Sequence, residues 1–214
     1  MLLKNLCNWF LDSLFPLARE EDELFLLSPD KAWQTLAKAP KPPVSSADSV
    51  FAYKDERVRK LIWNIKYKRS AKAVAIGGYA LFVALKSLPK NSEYPPILIP
   101  MPITPKRLLE RGYNQCQLLV DEVTRLDIDH KFSIEKELLL RVHHDSRQTL
   151  KNRQERLAST KGIFEVNKEK ASGLSNRTII VIDDVITTGS TINEAMAALR
   201  NAGLRNVSGL SLAH

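Results

Sequence analysis

The chain contains only two cysteines, Cys7 and Cys116, in 214 residues. Two isolated thiols exclude a disulfide framework and a zinc site built from four cysteines. No apolar run approaches the ~18 residues that a membrane span requires. The motif G-x-x-x-x-G-K-[ST] of nucleoside-triphosphate loops is also missing. We therefore expect a protein without a membrane span, and the low cysteine content favours the cytoplasm.

The first residues resemble a signal peptide only superficially. Residues 3–14 carry apolar side chains at helical spacing, and Asp12 interrupts the apolar stretch. This pattern is typical of an amphipathic helix. The stretch APKPPVSSADS at 39–49 is rich in proline and serine and predicts a linker. We expect a short helical N-terminal segment with its linker over 1–48 and a main domain over 49–214.

Apolar strand candidates alternate with helical patterns after the linker. The strand candidates are PILIPMP, ELLLRV, GIFEV, TIIVI and NVSGLSL. The predicted helices include DERVRKLIWNIK and residues 71–88, 114–126 and 191–201. Thr104 followed by Pro105 predicts the start of a further short helix that ends at Gly112. This alternation predicts an α/β domain with a mainly parallel sheet flanked by helices.

The net charge of +8 is concentrated in two blocks. Residues 51–72 carry eight basic and two acidic side chains, and residues 141–161 carry six basic and two acidic ones. Such blocks attract phosphate groups of a small molecule or of nucleic acid, or they form a solvated basic face. The first block interleaves Tyr67 with cations, as surfaces for single-stranded nucleic acid do. The candidate DNA-binding residues are Lys66, Lys68 and Arg69.

The stretch IIVIDDVITTGST, residues 179–191, combines a buried strand, an acidic pair and a polar loop. Ligands of open α/β sheets bind beyond the carboxyl ends of strands, where Asp183 and Asp184 are expected to stand. Adjacent carboxylates repel, so they need a cation, hydroxyl donors or backbone amides. Thr191 and Glu194 predict a capping box at the start of the next helix.

The loop after the acidic pair has the composition of an anion site. Hydroxyl groups, a glycine and a helix start together favour a bound phosphate. A polyhydroxylated sugar would then lie on the carboxylates with its phosphate in the loop. The alternative is that these are only turn and cap residues at a solvated strand end. The loop residues are Thr187, Thr188, Gly189, Ser190 and Thr191.

Two further groups of residues carry candidate phosphate ligands. Arg107 and Arg111 are four positions apart with Lys106 beside them, and guanidinium groups suit phosphate oxygens. The alternative is a solvated helix face. Residues 113–115 (Tyr-Asn-Gln) either line a base pocket or start a helix. The polar stretch 143–161 is longer than an ordinary connection and predicts a mobile functional loop; its candidate ligands are Arg147, Lys151, Arg153 and Arg156.

The stretch 179–191 resembles the phosphoribosyl-diphosphate signature of type I phosphoribosyltransferases. Three other stretches, YKDERVRKLIWNIKYK, IPMPITPKRLLERGYNQ and RQTLKNRQERLASTKGIF, resemble the ComF family of competence proteins (ComFC, GntX). Together these stretches extend the resemblance over roughly residues 50–214. The signature is specific for the fold and for phosphoribosyl-diphosphate binding, and much less so for one reaction.

The resemblance implies roles for these residues. Asp183 and Asp184 would bind the ribose hydroxyls, and the loop 187–191 would bind the 5-phosphate. Arg107 and Arg111 would act with the acidic pair in catalysis by stabilising the diphosphate as it leaves. Magnesium is expected to arrive with the ligand, with no metal held by the protein alone. The remaining diphosphate ligands would be Pro102, Ile103 and Lys106, together with the cations of the mobile loop.

Two departures from the family pattern restrict the prediction. ComF proteins usually carry a cysteine-rich zinc module after a Phe-Pro pair, whereas this chain has Phe15-Pro16 without cysteines, so no zinc is expected. The family also usually has an asparagine after the Glu-Arg pair of the mobile loop, whereas this chain reads ERLAST, with Ser159 at that position. Apart from these departures, purine salvage enzymes place an aspartate where this chain has Thr187, which argues against that subclass.

The resemblance therefore leaves two functions open. The first is a transferase that moves the phosphoribosyl group of phosphoribosyl diphosphate to an unknown acceptor. The second is a single-stranded DNA-binding protein of competence and DNA uptake, with phosphoribosyl diphosphate as its ligand or regulator. Whether catalysis occurs, which acceptor is used and whether the chain forms a homodimer all stay open.

Overall fold

A computed structural model describes residues 23–42, 44–88, 94–142 and 162–214. The strands are β1 (Ala47–Phe51), β2 (Ile97–Pro100), β3 (Ser133–Ile134), β4 (Leu139–Arg141), β5 (Phe164–Val166), β6 (Thr178–Val185) and β7 (Asn206–Ala213). Five of them form one sheet in the order β1-β7-β6-β2-β3, and every neighbouring pair is parallel. Strands β4 and β5 form a separate antiparallel pair. The predicted α/β fold with a parallel sheet is confirmed.

Helices flank this sheet on both faces. They are α1 (Glu23–Leu26), α2 (Pro29–Thr35), α3 (Glu56–Trp63), α4 (Ala71–Lys86), α5 (Pro105–Arg111), α6 (Gln115–Leu126), α7 (Lys168–Ala171) and α8 (Ser190–Asn201). A π-helical turn, Asn64–Lys68, continues α3. Of the helices in the described ranges, none has the length and apolarity that crossing a membrane requires.

The strand β6 lies at the centre of the sheet and separates two apolar clusters. Ile180 and Ile182 belong to the cluster that packs α3, α4 and α6 against one face. Ile179 and Val181 belong to the other cluster, which includes the buried face of α8. Successive side chains of a strand point to opposite faces. An apolar run without alternation is therefore what this doubly covered strand requires.

The predicted helix boundaries near the site are confirmed. The Thr104 hydroxyl accepts a hydrogen bond from the Arg107 backbone N–H at 3.2 Å, and Pro105 takes the first position of α5. Gly112 ends α5 with φ +78°, a left-handed conformation that glycine adopts without strain. The helix α6 begins after its N-cap Asn114, whose side chain accepts a hydrogen bond from the Cys116 N–H at 2.9 Å.

The linker prediction was wrong for residues 47–49, which belong to β1. This edge strand pairs with β7, and Phe51 and Val50 are buried in the core. The strand was not predicted because its sequence, ADSVF, has only a short apolar run and follows residues rich in proline and serine. A domain boundary at residue 48 would fall inside β1.

Part of the N-terminal segment packs with the main domain. Leu24, Phe25, Ala32 and Leu36 from α1, α2 and the residue after it belong to the same apolar cluster as α3 and α4. Burying such side chains contributes about 1.5–3 kcal/mol for each large one. The amphipathic helix predicted over 3–14 lies outside the described residues.

Candidate functional site

Asp183 and Asp184 are both buried at the carboxyl end of β6, with relative exposures of 8% and 5%. They are not part of a solvated strand end. Asp183 Oδ1 accepts a hydrogen bond from the Asp184 backbone N–H at 2.8 Å. The Cys116 thiol, from the first turn of α6, donates to the same oxygen at 3.6 Å. The acidic pair thus lies where β6 meets α6.

Burial dominates the electrostatics of the pair. Burial and the neighbouring Asp184 raise the pKa of Asp183 to about 7, against the smaller opposing effects of the Asp184 N–H, Lys66 and Cys116. Burial and the two carboxylates also raise the pKa of the Cys116 thiol well above its ordinary value. Near neutral pH the site therefore contains a protonated Cys116 thiol beside Asp183, which is partly protonated because its pKa is about 7.

Lys66 supplies a positive charge to the acidic pair. Its Nζ lies 3.0 Å from Asp184 Oδ2, and the two side chains are 23% and 6% exposed. Burial alone would lower the pKa of Lys66, but Asp184 and Asp183 together raise it above the ordinary value. The contact is an ion pair without directed geometry, because Asp184 Oδ2 has no hydrogen-bond partner among the described residues.

This ion pair changes the assignment of Lys66, which the sequence grouped with the surface cations. Lys68 and Arg69 are exposed as expected, with Lys68 Nζ 5.0 Å from the Trp63 ring. The π-helical turn separates them, so that Lys66 points inward and its neighbours outward. The assignment of Lys66 to a DNA surface is therefore corrected to the acidic pair.

The loop after β6 encloses a cavity of about 30 Å³ lined by residues of the predicted phosphate loop. The cavity extends from Asp183 to Ile192 along the chain. Thr188 and Ser190 hydroxyls lie 3.0 Å apart at its rim. Backbone N–H groups at the start of the twelve-residue helix α8 are available to an anion there.

The capping box predicted from Thr191 and Glu194 is wrong. The helix α8 begins one residue earlier, at Ser190, and its N-cap is Gly189, which has no side chain to cap with. Gly189 has φ +80°, and a Cβ there would lie 2.1 Å from Val44 Cγ2. Glycine is thus required both by the left-handed turn and by the segment that precedes β1.

The residues after β2 lie next to the acidic pair. The Met101 N–H donates to the Ile182 carbonyl at 2.8 Å, which continues the β2–β6 pairing to the residue before Asp183. Pro102 and Ile103 follow directly and are half-buried. Lys106 and Arg107 are exposed on α5, with Lys106 Nζ 4.0 Å from Glu110. The residues after β2 that the sequence predicts as diphosphate ligands therefore follow a strand end at the same edge of the sheet as the acidic pair.

Arg111 is more constrained than the sequence suggests. Its Nη1 donates to the Gln115 side chain at 2.8 Å, and its guanidinium lies 5.1 Å from the Tyr67 ring centre. Tyr113 and Asn114 make structural contacts, since Asn114 Nδ2 donates to the Met101 carbonyl at 3.0 Å and the Tyr113 hydroxyl donates to the Ile65 carbonyl at 2.9 Å. Of the two alternatives for this stretch, the start of a helix is the one observed.

Arg141 is a site residue that sequence reasoning missed. It ends β4, and its guanidinium lies 5.3 Å from the Phe164 ring centre. Burial and the nearby Arg107 lower the pKa of Arg141, while Asp183 and Glu194 partly offset this. Arg141 is thus within electrostatic reach of Asp183 and of Arg107. The loop candidates Arg147, Lys151, Arg153 and Arg156 lie outside the described residues.

Cys116, Asp183 and Asp184 are the described residues whose ligand atoms lie close enough together to share a metal ion, but their chemistry suits magnesium poorly. One oxygen each from Asp183 and Asp184 lies within 4.8 Å of the Cys116 sulfur. A protonated thiol is a poor ligand for a hard cation that prefers oxygen. The ammonium of Lys66 already occupies the position beside Asp184 Oδ2. Magnesium at this site would therefore have to be held mainly by oxygens of a ligand.

Residues 125–211 match the phosphoribosyl transferase domain family. The match contains β6, the acidic pair and the loop. Together with the parallel sheet, it shows that the chain has a phosphoribosyltransferase-like fold. A hypoxanthine phosphoribosyltransferase from Staphylococcus aureus is a distant structural neighbour, with 14% identity and a TM-score of 0.32 over 72% of this chain and 62% of that one. That likeness is too weak to support an argument.

Several competence proteins are similar in sequence. Competence protein F of Haemophilus influenzae is 33% identical over 59% of this chain and 55% of its own length. Competence protein ComFC of Streptococcus pneumoniae is 32% identical over 63% and 54%, and that of Bacillus subtilis 35% over 50% and 39%. The chain spans about half the length, or less, of these curated relatives. The resemblance to the ComF family that the motifs indicate is confirmed.

Proposed function

We propose that the chain binds 5-phosphoribosyl 1-diphosphate. The observation that carries this proposal is the buried acidic pair beside the 30 Å³ cavity of the loop 186–192. Carboxylates accept hydrogen bonds from sugar hydroxyls, and exposed N–H groups at a helix start bind phosphate. The ribose 2- and 3-hydroxyls would lie on Asp183 and Asp184, and the 5-phosphate in the loop.

The same site suits transfer of the phosphoribosyl group to an acceptor. The bond between the anomeric carbon and the diphosphate oxygen breaks, and its electron pair leaves with diphosphate. The acceptor forms the new bond to that carbon and loses its proton to solvent. Arg107 and Arg141 would stabilise the negative charge of the leaving group, and the carboxylates would offset positive charge near the ribose. Magnesium bound to the diphosphate would add to this charge stabilisation.

Binding of single-stranded DNA is the second candidate function. Tyr67, Lys68 and Arg69 are exposed together, and the Tyr67 ring lies 6.0 Å from that of Trp63. An exposed aromatic ring between cations can stack on a base while the cations contact phosphates. The names of the relatives agree with a role in competence. This surface lies on the same π-helical turn as Lys66, so DNA and the small ligand could influence each other.

Titration calorimetry with phosphoribosyl diphosphate and magnesium tests the first candidate. The parent chain should bind, and Asp183→Asn with Asp184→Asn should abolish measurable binding. Asp129→Asn is the control, because Asp129 is an exposed carboxylate that forms an ion pair with Lys131. Repeating the titration with single-stranded DNA as competitor tests whether the two ligands interact. Equal binding by the double variant and the parent would refute the site assignment.

A further inference from the structure

The Lys66–Asp184 ion pair joins two parts of the chain that the sequence separates by more than a hundred residues. Asp184 lies on β6, and Lys66 lies on the π-helical turn after α3. Asp184 is on the same face of β6 as Ile180 and Ile182, which pack in the cluster around α3. Asp183 is on the opposite face and accepts a hydrogen bond from the Cys116 thiol. The two carboxylates are thus contacted from different sides.

The position of Lys66 depends on the π-helical turn. Within that turn the Ile65 carbonyl accepts a hydrogen bond from the Tyr113 hydroxyl at 2.9 Å. The Arg69 N–H donates to the same hydroxyl at 3.1 Å, and Arg69 ends the turn with φ +51°. A π-helical turn shifts the direction of the side chains that follow, and such turns often mark functional sites. This turn directs Lys66 to the carboxylates and leaves Lys68 at the surface.

Among the described residues, Lys66 is the cation that forms an ion pair with the two carboxylates, through Asp184. Cys116 from α6 is a thiol with a raised pKa and carries no positive charge. Arg141 from β4 influences Asp183, but no ion pair joins them. Two adjacent buried carboxylates without a cation would bind a proton instead of staying charged. A protonated carboxyl group is a weaker acceptor for a hydroxyl than a carboxylate is.

We propose that Lys66 is a positioning residue of the ligand site, whose ammonium group favours the charged form of the two buried carboxylates and holds them in place for a vicinal diol such as that of ribose. The inference rests on the proposed function, since the diol belongs to the phosphoribosyl ligand. It assigns to Lys66 a role through the carboxylates and not through direct contact with the ligand.

Calorimetry across pH tests this role with phosphoribosyl diphosphate and magnesium. The parent affinity should rise as pH rises through about 7, where Asp183 loses its proton. Without the nearby cation the pKa of Asp183 rises, so Lys66→Met should show the same rise about one pH unit higher. Its affinity at about pH 7 should be roughly fivefold weaker and should converge with the parent at higher pH. The ligand phosphate also titrates, near pH ~6, but equally for every variant.

Two controls separate this role from a merely structural one. Lys66→Arg should keep the parent profile, because arginine restores the cation. Lys86→Met removes an exposed lysine of α4 without touching the carboxylates, and should also keep the parent profile. A Lys66→Met profile that coincides with the parent overturns the proposal, as does a loss of affinity that is equal at every pH.

A measurement without ligand distinguishes failure of this inference from failure of the proposed function. Carbon-13 NMR can follow titration of the Asp183 carboxyl group, assigned by the loss of its signal in Asp183→Asn. Lys66→Met should shift that titration upward by about one pH unit. An unchanged titration overturns the role of Lys66 even if the parent binds the ligand. A shifted titration in a chain that binds no phosphoribosyl diphosphate would refute the diol instead, and with it the proposed function.

Discussion

The hydroxyl of Tyr113 donates a hydrogen bond to the backbone carbonyl of Ile65 at 2.9 Å, across 48 positions of the chain. The same hydroxyl accepts from the Arg69 N–H at 3.1 Å. One phenol thus bonds to both a donor and an acceptor of the π-helical turn, and the Arg69 N–H also donates to the Asn64 carbonyl. Tyr113, two residues before the first residue of α6, therefore supports the segment that carries Lys66.

Tyr113→Phe should destabilise the fold by about 1–2 kcal/mol, because the Ile65 carbonyl loses its partner. Urea unfolding of the variant and the parent measures the difference. Tyr53→Phe serves as the control, since Tyr53 is exposed. Equal stability of Tyr113→Phe and the parent would mean that water replaces the phenol at no cost.

Gly189→Ala should destabilise the protein more than Gly203→Ala does. Both glycines have a left-handed φ, +80° and +90°, so both substitutions carry a backbone cost of about 1–2 kcal/mol. Only at Gly189 would the new Cβ also meet Val44, which adds about 1–3 kcal/mol of overpacking. Adding Val44→Ala should recover part of that excess in a double-mutant cycle, and additive effects would contradict the contact.

Asp183 should make the stability of the ligand-free protein fall as pH rises from about 4 to about 7. Its pKa is raised from 3.8 to about 7 in the fold, so the folded state binds the proton more tightly than the unfolded state does. The stability it contributes is full below pH ~4 and is lost as pH rises through the folded pKa, by an amount on the order of a few kcal/mol. Asp183→Asn should remove that slope, and thermal unfolding across pH measures it. Parallel curves for variant and parent would contradict the raised pKa.

Single-stranded DNA should bind weakly and without sequence preference through Lys68 and Arg69. Lys68→Ala with Arg69→Gly should weaken binding to all sequences and make the salt dependence shallower by about 0.7 per lost phosphate contact. Glycine suits position 69 because Arg69 has φ +51°. Lys86→Ala, an exposed lysine outside both basic blocks, is the control. The double variant of the acidic pair should still bind DNA. Fluorescence anisotropy at several salt concentrations tests this, and an unchanged slope would leave these cations as solvated surface.

Protein purified without a tag should contain far less than one equivalent of zinc. Cys116 is buried with a pKa well above its ordinary value, and a thiol must lose its proton to bind zinc. Cys7 lies outside the described residues, 109 positions away in the chain. Elemental analysis measures the metal directly. One equivalent that disappears in Cys116→Ser would instead assign zinc to the cluster with Asp183 and Asp184.

Sequence patterns were sufficient for the features that are local in the chain. The apolar run of β6, the acidic pair and the loop up to Thr191 follow one another, so their order predicts their geometry. The caps of α5 and α6 are equally local. The position of the loop 187–191 after β6 could therefore be predicted before the structure, apart from the cap at Gly189.

Features that depend on contacts between distant residues were missed. Lys66 is one cation in a basic run, and only the π-helical turn distinguishes it from Lys68. Arg141 ends a three-residue strand, and its effect on Asp183 arises from the antiparallel pair β4–β5. The strand β1 is defined by its pairing with β7 and not by its own pattern.

The close packing of Val44 against Gly189 limits the positions at which another sequence could replace the N-terminal part of this chain. A fragment that starts at residue 49 would lose Val44 from beneath the loop and the Ser46 carbonyl that accepts from the Gly209 N–H at 2.9 Å. Fusion or replacement of upstream modules is therefore compatible with this site only when the junction lies before Val44. The segment 44–51 is in this sense part of the same structural unit as the loop 187–191, whatever precedes it.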